Sequence, residues 1–174
     1  MSGRYRTIVA DPPWPFDWNR RELDYKLMTL GELLLLPIVE MAERDAHLFL
    51  WMTAEMHREG EGVRLARAWG FDPVGEIIWK KTHFGVGSMP RSQHEPVLVC
   101  RRGNLPFTGP RNIGSVQEWA GGKGHSAKPD AFLDLVEMVS PGPYLELFAR
   151  RARFGWDYWG DESLGTAEMP GEAA

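Results

Sequence analysis

Cysteine is nearly absent from this 174-residue sequence: Cys100 stands alone, which excludes an intrachain disulfide framework. Its neighbours Val97, Leu98 and Val99 make it a small core residue of a strand. The five histidines show no close ligand spacing, so no metal is expected. No apolar run approaches the roughly 20 residues that cross a bilayer, and no basic-plus-apolar leader opens the chain. It reads as cytoplasmic, with no membrane partner. An excess of positive charge is missing too. Twenty Lys and Arg face 24 Asp and Glu, for a formal charge of −4, so the summed field does not favour strong nonspecific binding to a polyanion. Also lacking is a Gly-rich phosphate-binding fingerprint after the first apolar run, where a simple dinucleotide-binding fold would carry one.

What is present is the composition of an ordinary soluble domain, 43% hydrophobic and 25% charged. Short, mostly continuous apolar runs at 8–10, 48–51, 77–79, 97–99 and 145–148 predict strands covered on both faces. Helical patterns lie between them. One carries Leu33, Leu34, Leu36 and Val39, and a second Met56, Val63, Ala66 and Trp69. The third has Phe132, Leu135, Val136 and Val139 at i, i+3, i+4, i+7 spacing, with Pro129 as its first helical residue and Pro141-Gly142 as its stop. This alternation predicts an α/β, Rossmann-like fold: a mostly parallel sheet with helices on both faces and right-handed crossovers. Ligands of such sheets sit at the carboxyl ends of the strands. Asp11, after the first strand, and Arg150, after the last, belong on that rim. The stretches 82–92 and 103–128 are rich in turn formers and read as long loops, which are often functional. One domain is expected over 1–162, with a small, polar tail at 163–174 that frays.

The loop Asp11-Pro12-Pro13-Trp14 carries parts suited to an exocyclic aromatic amine. Such an amine is a poor nucleophile because its lone pair is delocalised into the ring. Acceptors on both of its protons make it more pyramidal and stabilise developing positive charge. Asp11 is one acceptor; the Pro12-Pro13 segment, with fixed φ and no N–H donors, presents a rigid carbonyl as the other. Trp14 offers a face for the base. The same four residues also suit a Pro-rich turn that caps a strand and half-buries its Trp.

The run Ile8-Val9-Ala10-Asp11-Pro12-Pro13-Trp14 resembles the signature of the adenine-N6 methyltransferases related to the catalytic subunit of the eukaryotic messenger-RNA methyltransferase, a family with many small bacterial and phage members. Further matches follow in the family's order from about residue 5 to 162: Tyr25 and Met28, 48–51, Ile77-Ile78-Trp79, His94-Glu95 with Arg102-Gly103, His125-Ser126 with Lys128-Pro129, then 145–150 with Trp156 and Gly160. The resemblance implies a circularly permuted class I methyltransferase fold, with the acceptor loop early in the chain and the cofactor strand late. It implies S-adenosylmethionine as cofactor and the N6 amine of adenine in a nucleic acid as substrate. DNA is preferred over RNA because this compact chain looks like the bacterial and phage members.

By that resemblance Asp11, Pro12, Pro13 and Trp14 are catalytic, with Trp14 stacking on an extracted base. Asp11, His125, Ser126, Lys128, Phe148, Arg150, Asp161 and Glu162 hold the cofactor. Lys128, just before a helix, takes the methionine carboxylate, and Asp161 stands where the family usually has Asn. Trp14, Lys81, Arg91, His94 and Arg111 are assigned to the nucleic acid. A rival reading is a non-catalytic, nucleic-acid-binding partner subunit, but such partners typically lose the tetrapeptide that is intact here. A homodimer or a heteromeric partner would complete target binding. Related enzymes that methylate amides commonly begin the loop with Asn, which ranks a protein glutamine or a free base below a nucleic acid.

Overall fold

Ile8, Val9 and Ala10 are each at most 1% exposed, because β1 (Tyr5–Ala10) lies inside a sheet covered on both faces. Alternate residues of a strand point to opposite sides. Ile8 and Ala10 therefore join Leu48, Leu50, Leu98, Cys100, Leu145 and Leu147 in one core, and Val9 joins Phe49, Trp51 and Val97 in another. Two cores sharing one sheet explain the continuous apolar runs.

The computed structural model describes residues 4–15, 27–85, 89–121 and 127–160, with 167, 169 and 170. After β1 come α1 (Leu30–Leu34), α2 (Ile38–Met41), β2 (Ala42–Trp51), α3 (Ala54–Arg58), α4 (Glu61–Ala68), β3 (Asp72–Lys80), β4 (His94–Arg102), β5 (Val116–Gln117), α5 (Asp130–Val139), β6 (Tyr144–Leu147) and β7 (Trp156–Trp159). The strands form one sheet in the order β5-β3-β4-β2-β1-β6-β7. All but β4 run in the same direction. Leu33, Ile38, Leu65 and Trp69 from α1 to α4 and the turn after α4 cover one face, and Phe132, Leu133, Leu135 and Val136 of α5 cover the other. This is the Rossmann-like, mostly parallel α/β sheet expected of a permuted class I methyltransferase fold.

Local differences have local causes. The reversal of β4 follows from antiparallel pairing with β3 that continues past both strands: Lys81 N–H donates to Gln93 O at 2.8 Å and Gly85 N–H to Ser92 O at 2.7 Å. A parallel neighbour would need a full crossover. Two predicted helices are each split, one at Pro37 and one at Gly60, whose φ of +74° suits glycine and ends a helical turn. Pro129 is the extended cap of α5 (ψ 137°) instead of its first helical residue. The expected loop 103–128 contains β5, whose approach is fixed by Ile78 N–H to Ser115 O at 2.7 Å. Within the stretch expected to fray, Ala167 and Met169 are buried in the first core, and Ala167 N–H donates to Tyr158 O at 3.2 Å. Among the described residues no helix is long and apolar enough to cross a membrane.

One consequence of the topology decides where chemistry is assembled. The carboxyl ends of β1, β2, β3 and β6 share a rim, and because β4 runs the other way its first residues, His94 and Glu95, arrive at that same rim.

Candidate active site

Asp11 leaves β1 directly, its N–H reaching towards Leu147 O of β6 at 3.5 Å. Lys128 enters from the approach to α5 and places Nζ 2.7 Å from Asp11 Oδ2. Lys128 Nζ also lies 3.5 Å from Glu95 Oε2, and the other oxygen of Glu95 pairs with Lys81 Nζ. Asp11, Lys128, Glu95 and Lys81 thus form an array of alternating charges that sums to zero. The array rests on indoles. Lys128 Nζ is 5.2 Å from the ring centroid of Trp51, and Lys81 Nζ is 5.1 Å from that of Trp79. The two rings meet edge to face at 6.0 Å, so each ammonium gains cation–π attraction in a partly desolvated setting. Burial works against charge on Lys128, but Asp11 and Glu95 outweigh it and hold the pKa above the ordinary lysine value. Glu95, which burial would push up, is held below the usual carboxylate range by Lys128 and Lys81. Both therefore stay charged at neutral pH.

The proline segment is as rigid as its composition suggests. Pro12 O accepts Trp14 N–H at 2.8 Å and Pro13 O accepts Met28 N–H at 3.0 Å, and each carbonyl retains a second lone pair. Trp14 requires a correction. It is only 2% exposed, belongs to the first core, and donates its indole N–H to Trp51 O at 3.0 Å. A ring held on all sides cannot stack on a base; Trp14 instead ties the loop to the end of β2, the capping turn that its composition also suited.

On the β6 side, Phe148 has φ +62°, a conformation that costs a bulky residue about 1–3 kcal/mol. The surroundings impose it. Ala149 N–H donates to Trp159 O at 3.1 Å, Phe148 meets Trp159 edge to face at 5.4 Å, and a Cβ on Gly160 would come within 2.8 Å of the Ala149 backbone. Gly160 is thus required for β7 to close against this turn. Arg150, exposed at the turn, is near enough to repel Lys128. Glu146, opposite Val9 and Tyr158 in the sheet, is pushed up to about 7 by burial, with Asp11 adding to the effect and Arg151 and Arg153 opposing it.

The geometry is that of a charged, aromatic-floored cleft at the switch between β1 and β6, and known proteins share its sequence. The MT-A70 family model matches residues 5–162. The chain belongs to the MT-A70 family. It is 30% identical over 184 residues to the Type II methyltransferase M.MunI of Mycoplasma sp, covering 91% of this chain and 78% of that protein. It is 33% identical to the N(6)-adenosine-methyltransferase subunit METTL3 of Danio rerio, over 85% of this chain but 26% of the relative. With the N(6)-adenine-specific methyltransferase METTL4 of Homo sapiens it shares 29% identity, over 92% of this chain and 38% of the relative. The MT-A70 domain is thus one of an adenine-N6 methyltransferase family.

Of the residues assigned from sequence, the MT-A70 domain brings Asp11, Lys128, Lys81, Phe148 and Arg150 to one rim. Lys81 is spent on Glu95 and Trp79, so it anchors the cleft instead of offering an open cation. His94 is exposed at the rim end of β4, and Arg91 is exposed beyond it on 81–93. Arg111 lies apart. It lines a cavity of about 370 Å³ with Phe49, Ile77 and Val99, part-way along the strands on the α5 face. His125, Ser126, Asp161 and Glu162 lie outside the described residues. Two acidic residues were not assigned from sequence: Glu95, which entered only through the His94-Glu95 match to the family's order, and Glu146, which sits alternately with buried leucines on a strand and gives no signal of its own.

Glu146 makes a pH prediction. The folded protein keeps its proton up to about pH 7, whereas the unfolded chain loses it near 4.5. The stabilisation is therefore complete below pH 4.5 and lost as pH rises through 7. The variant Glu146→Gln has no such loss. Relative to wild type, it is expected to gain up to about 3 kcal/mol of unfolding free energy between pH 4.5 and 7, read as the difference between paired urea titrations. A difference that stays constant over that range would count against the buried carboxyl.

Proposed function

We propose that the chain transfers a methyl group from S-adenosylmethionine to the N6 amine of an adenine in a nucleic acid, with DNA preferred over RNA. The observation that carries this reading is the Asp11–Lys128 pair, 2.7 Å apart at the carboxyl ends of β1 and β6, where an α/β sheet holds its ligands. Adjacent carboxylate and ammonium groups complement the ammonium and carboxylate of an amino acid. The rest of the donor set also fits the cofactor: Glu146 and Arg150 suit ribose hydroxyls, and Phe148 supplies an apolar wall. His125, Ser126, Asp161 and Glu162 complete the proposed set.

Bound there, S-adenosylmethionine supplies an electrophilic methyl group on a sulfonium. Lys128, kept charged by Asp11 and Glu95, holds the carboxylate. Asp11 would accept a hydrogen bond from N6, and a carbonyl of Pro12 or Pro13 would accept the other through its remaining lone pair, which turns the amine towards tetrahedral geometry and its lone pair towards the methyl donor. The surplus N6 proton leaves through the Asp11 carboxylate to water. Glu95 and Lys81 position Lys128 without touching the reacting atoms. DNA is favoured by the likeness to a bacterial Type II methyltransferase, 30% identical over 184 residues. The chain's net charge of −4 and the internal use of Lys81 favour a second subunit, a copy of this chain or a heteromeric partner, for target binding.

The test incubates the purified protein with labelled S-adenosylmethionine and separate pools of duplex DNA, single-stranded DNA and RNA, and identifies the product base by mass spectrometry. N6-methyladenine is expected, most of it in DNA. Cofactor binding without N6-methyladenine in any pool would replace the enzyme with the non-catalytic partner.

A further inference from the structure

We propose that Phe84, backed by Arg91, is a stacking platform for a base flanking the target adenine, so that the nucleic acid is engaged as an unpaired strand at the 81–93 arm. The inference rests on the function proposed above and names the form in which its substrate binds.

The arm prolongs the β3–β4 hairpin past the rim. Lys80 and His94 are the last register pair, and Lys81 with Gln93 and Gly85 with Ser92 continue the backbone bonding. The root of the arm is tied to the cleft, since Lys81 pairs with Glu95, Glu95 with Lys128, and Lys128 with Asp11. The four residue-to-residue steps from Lys81 to Gly85 extend at most about 14 Å, a distance of a few nucleotides. At that position Phe84 is 60% exposed. Arg91 holds its guanidinium carbon 5.7 Å from the ring centroid and is fixed there by Nε–H donation to Gly85 O at 2.9 Å.

The chemistry of the arm fits an unpaired base. From Ile77 to His94 no Asp or Glu occurs; Lys80 and Lys81 pair with Glu118 and Glu95 at the root of the arm, and His83, Arg91 and His94 carry its basic character further out, in a chain whose net charge is negative. A phenyl ring with a guanidinium beside it offers a π surface and a cation, the two elements by which proteins hold single strands. A base inside a duplex has both faces covered by its neighbours and cannot reach such a ring until it is unstacked. Trp14, the aromatic first expected to stack, is buried, which leaves Phe84 as the exposed ring on the arm rooted in the cleft.

The experiment uses the whole chain with a single-stranded DNA oligonucleotide holding one adenine, its duplex, and the RNA of the same sequence. Binding is read by fluorescence anisotropy and turnover with labelled cofactor. Phe84→Ala is expected to weaken single-strand binding by roughly 5- to 150-fold, the span of one stacked base, and the loss should fall on KM more than on kcat. Phe84→Trp should restore it. Replacing flanking nucleotides one at a time by abasic sites should identify one whose loss matches that of Phe84→Ala, with no further loss when both are combined. The RNA arm tells which sugar the strand carries. Unchanged affinity in Phe84→Ala, equal losses for duplex and single strand, or a change in self-association alone would overturn the platform. Because anisotropy needs no turnover, a wild type that binds through Phe84 but methylates nothing would overturn the proposed activity and leave the platform standing.

Discussion

Replacing Asp11 with alanine is expected to lower methyl transfer by about a thousandfold or more while leaving the fold in place. Removing one positioned group at a site of developing charge costs about two to three orders of magnitude, and in the proposed reaction Asp11 is also the route by which the N6 proton departs, which adds to the loss. The fold should survive because the carboxylate sits at the rim with 21% of its side chain exposed. Nor is Lys128 left without compensation, since Glu95 remains 3.5 Å away. Asp11→Asn keeps an acceptor oxygen but loses the charge, and should fall between the two. Single-turnover rates with labelled cofactor, paired with urea midpoints, separate chemistry from folding. An alanine variant within tenfold of wild type would end the role assigned to Asp11.

Trp14 gives the largest expected effect on stability. Truncating it to alanine removes a ring that is 2% exposed and orphans the Trp51 carbonyl that accepts its N–H at 3.0 Å. Large-to-small changes of this kind cost about 3–5 kcal/mol, a sizeable share of the 5–15 kcal/mol that typically holds a domain together. Trp14→Phe fills most of the space and loses mainly the hydrogen bond, so about 1–3 kcal/mol is expected. Denaturant midpoints measure both. The pair also tests function: a ring that stacked on a base would make Trp14→Phe nearly neutral for stability and alter KM, whereas a core ring gives the opposite pattern.

These two residues show what was legible in the sequence. Asp11 could be read because a buried strand ends at it and the loop that follows can only lie on the ligand-bearing rim. Trp14, three residues on, could not, because its exposure is decided by Met28 and by the end of β2, which are remote in sequence. The strands were legible as apolar runs, but a buried run has no direction, so the reversal of β4 was hidden, and with it the arrival of Glu95 beside Lys128. For the same reason Lys81 was assigned to the nucleic acid and not to Glu95, its partner in the fold. Arg111 sat in a loop whose path across the α5 face no local pattern sets. The helical spacing runs on through Pro37 and Gly60, because both halves of each split helix pack on the same core, so the breaks at these two residues did not show in it.

Asp11 and Lys128 are 117 positions apart in the chain, and β1 is seated between β2 and β6. During synthesis β1 can pair with β2 early, but its other edge waits for β6, and Val9 meets Glu146 only after a delay of roughly ten to thirty seconds at ordinary translation rates. Through that interval a strand of Ile, Val and Ala presents unpaired backbone groups, the condition that invites pairing with a foreign strand. The closing of the cleft and the end of that exposure are one event. A chain that has finished folding is thereby also one that has acquired its chemistry, and a prematurely released chain has neither.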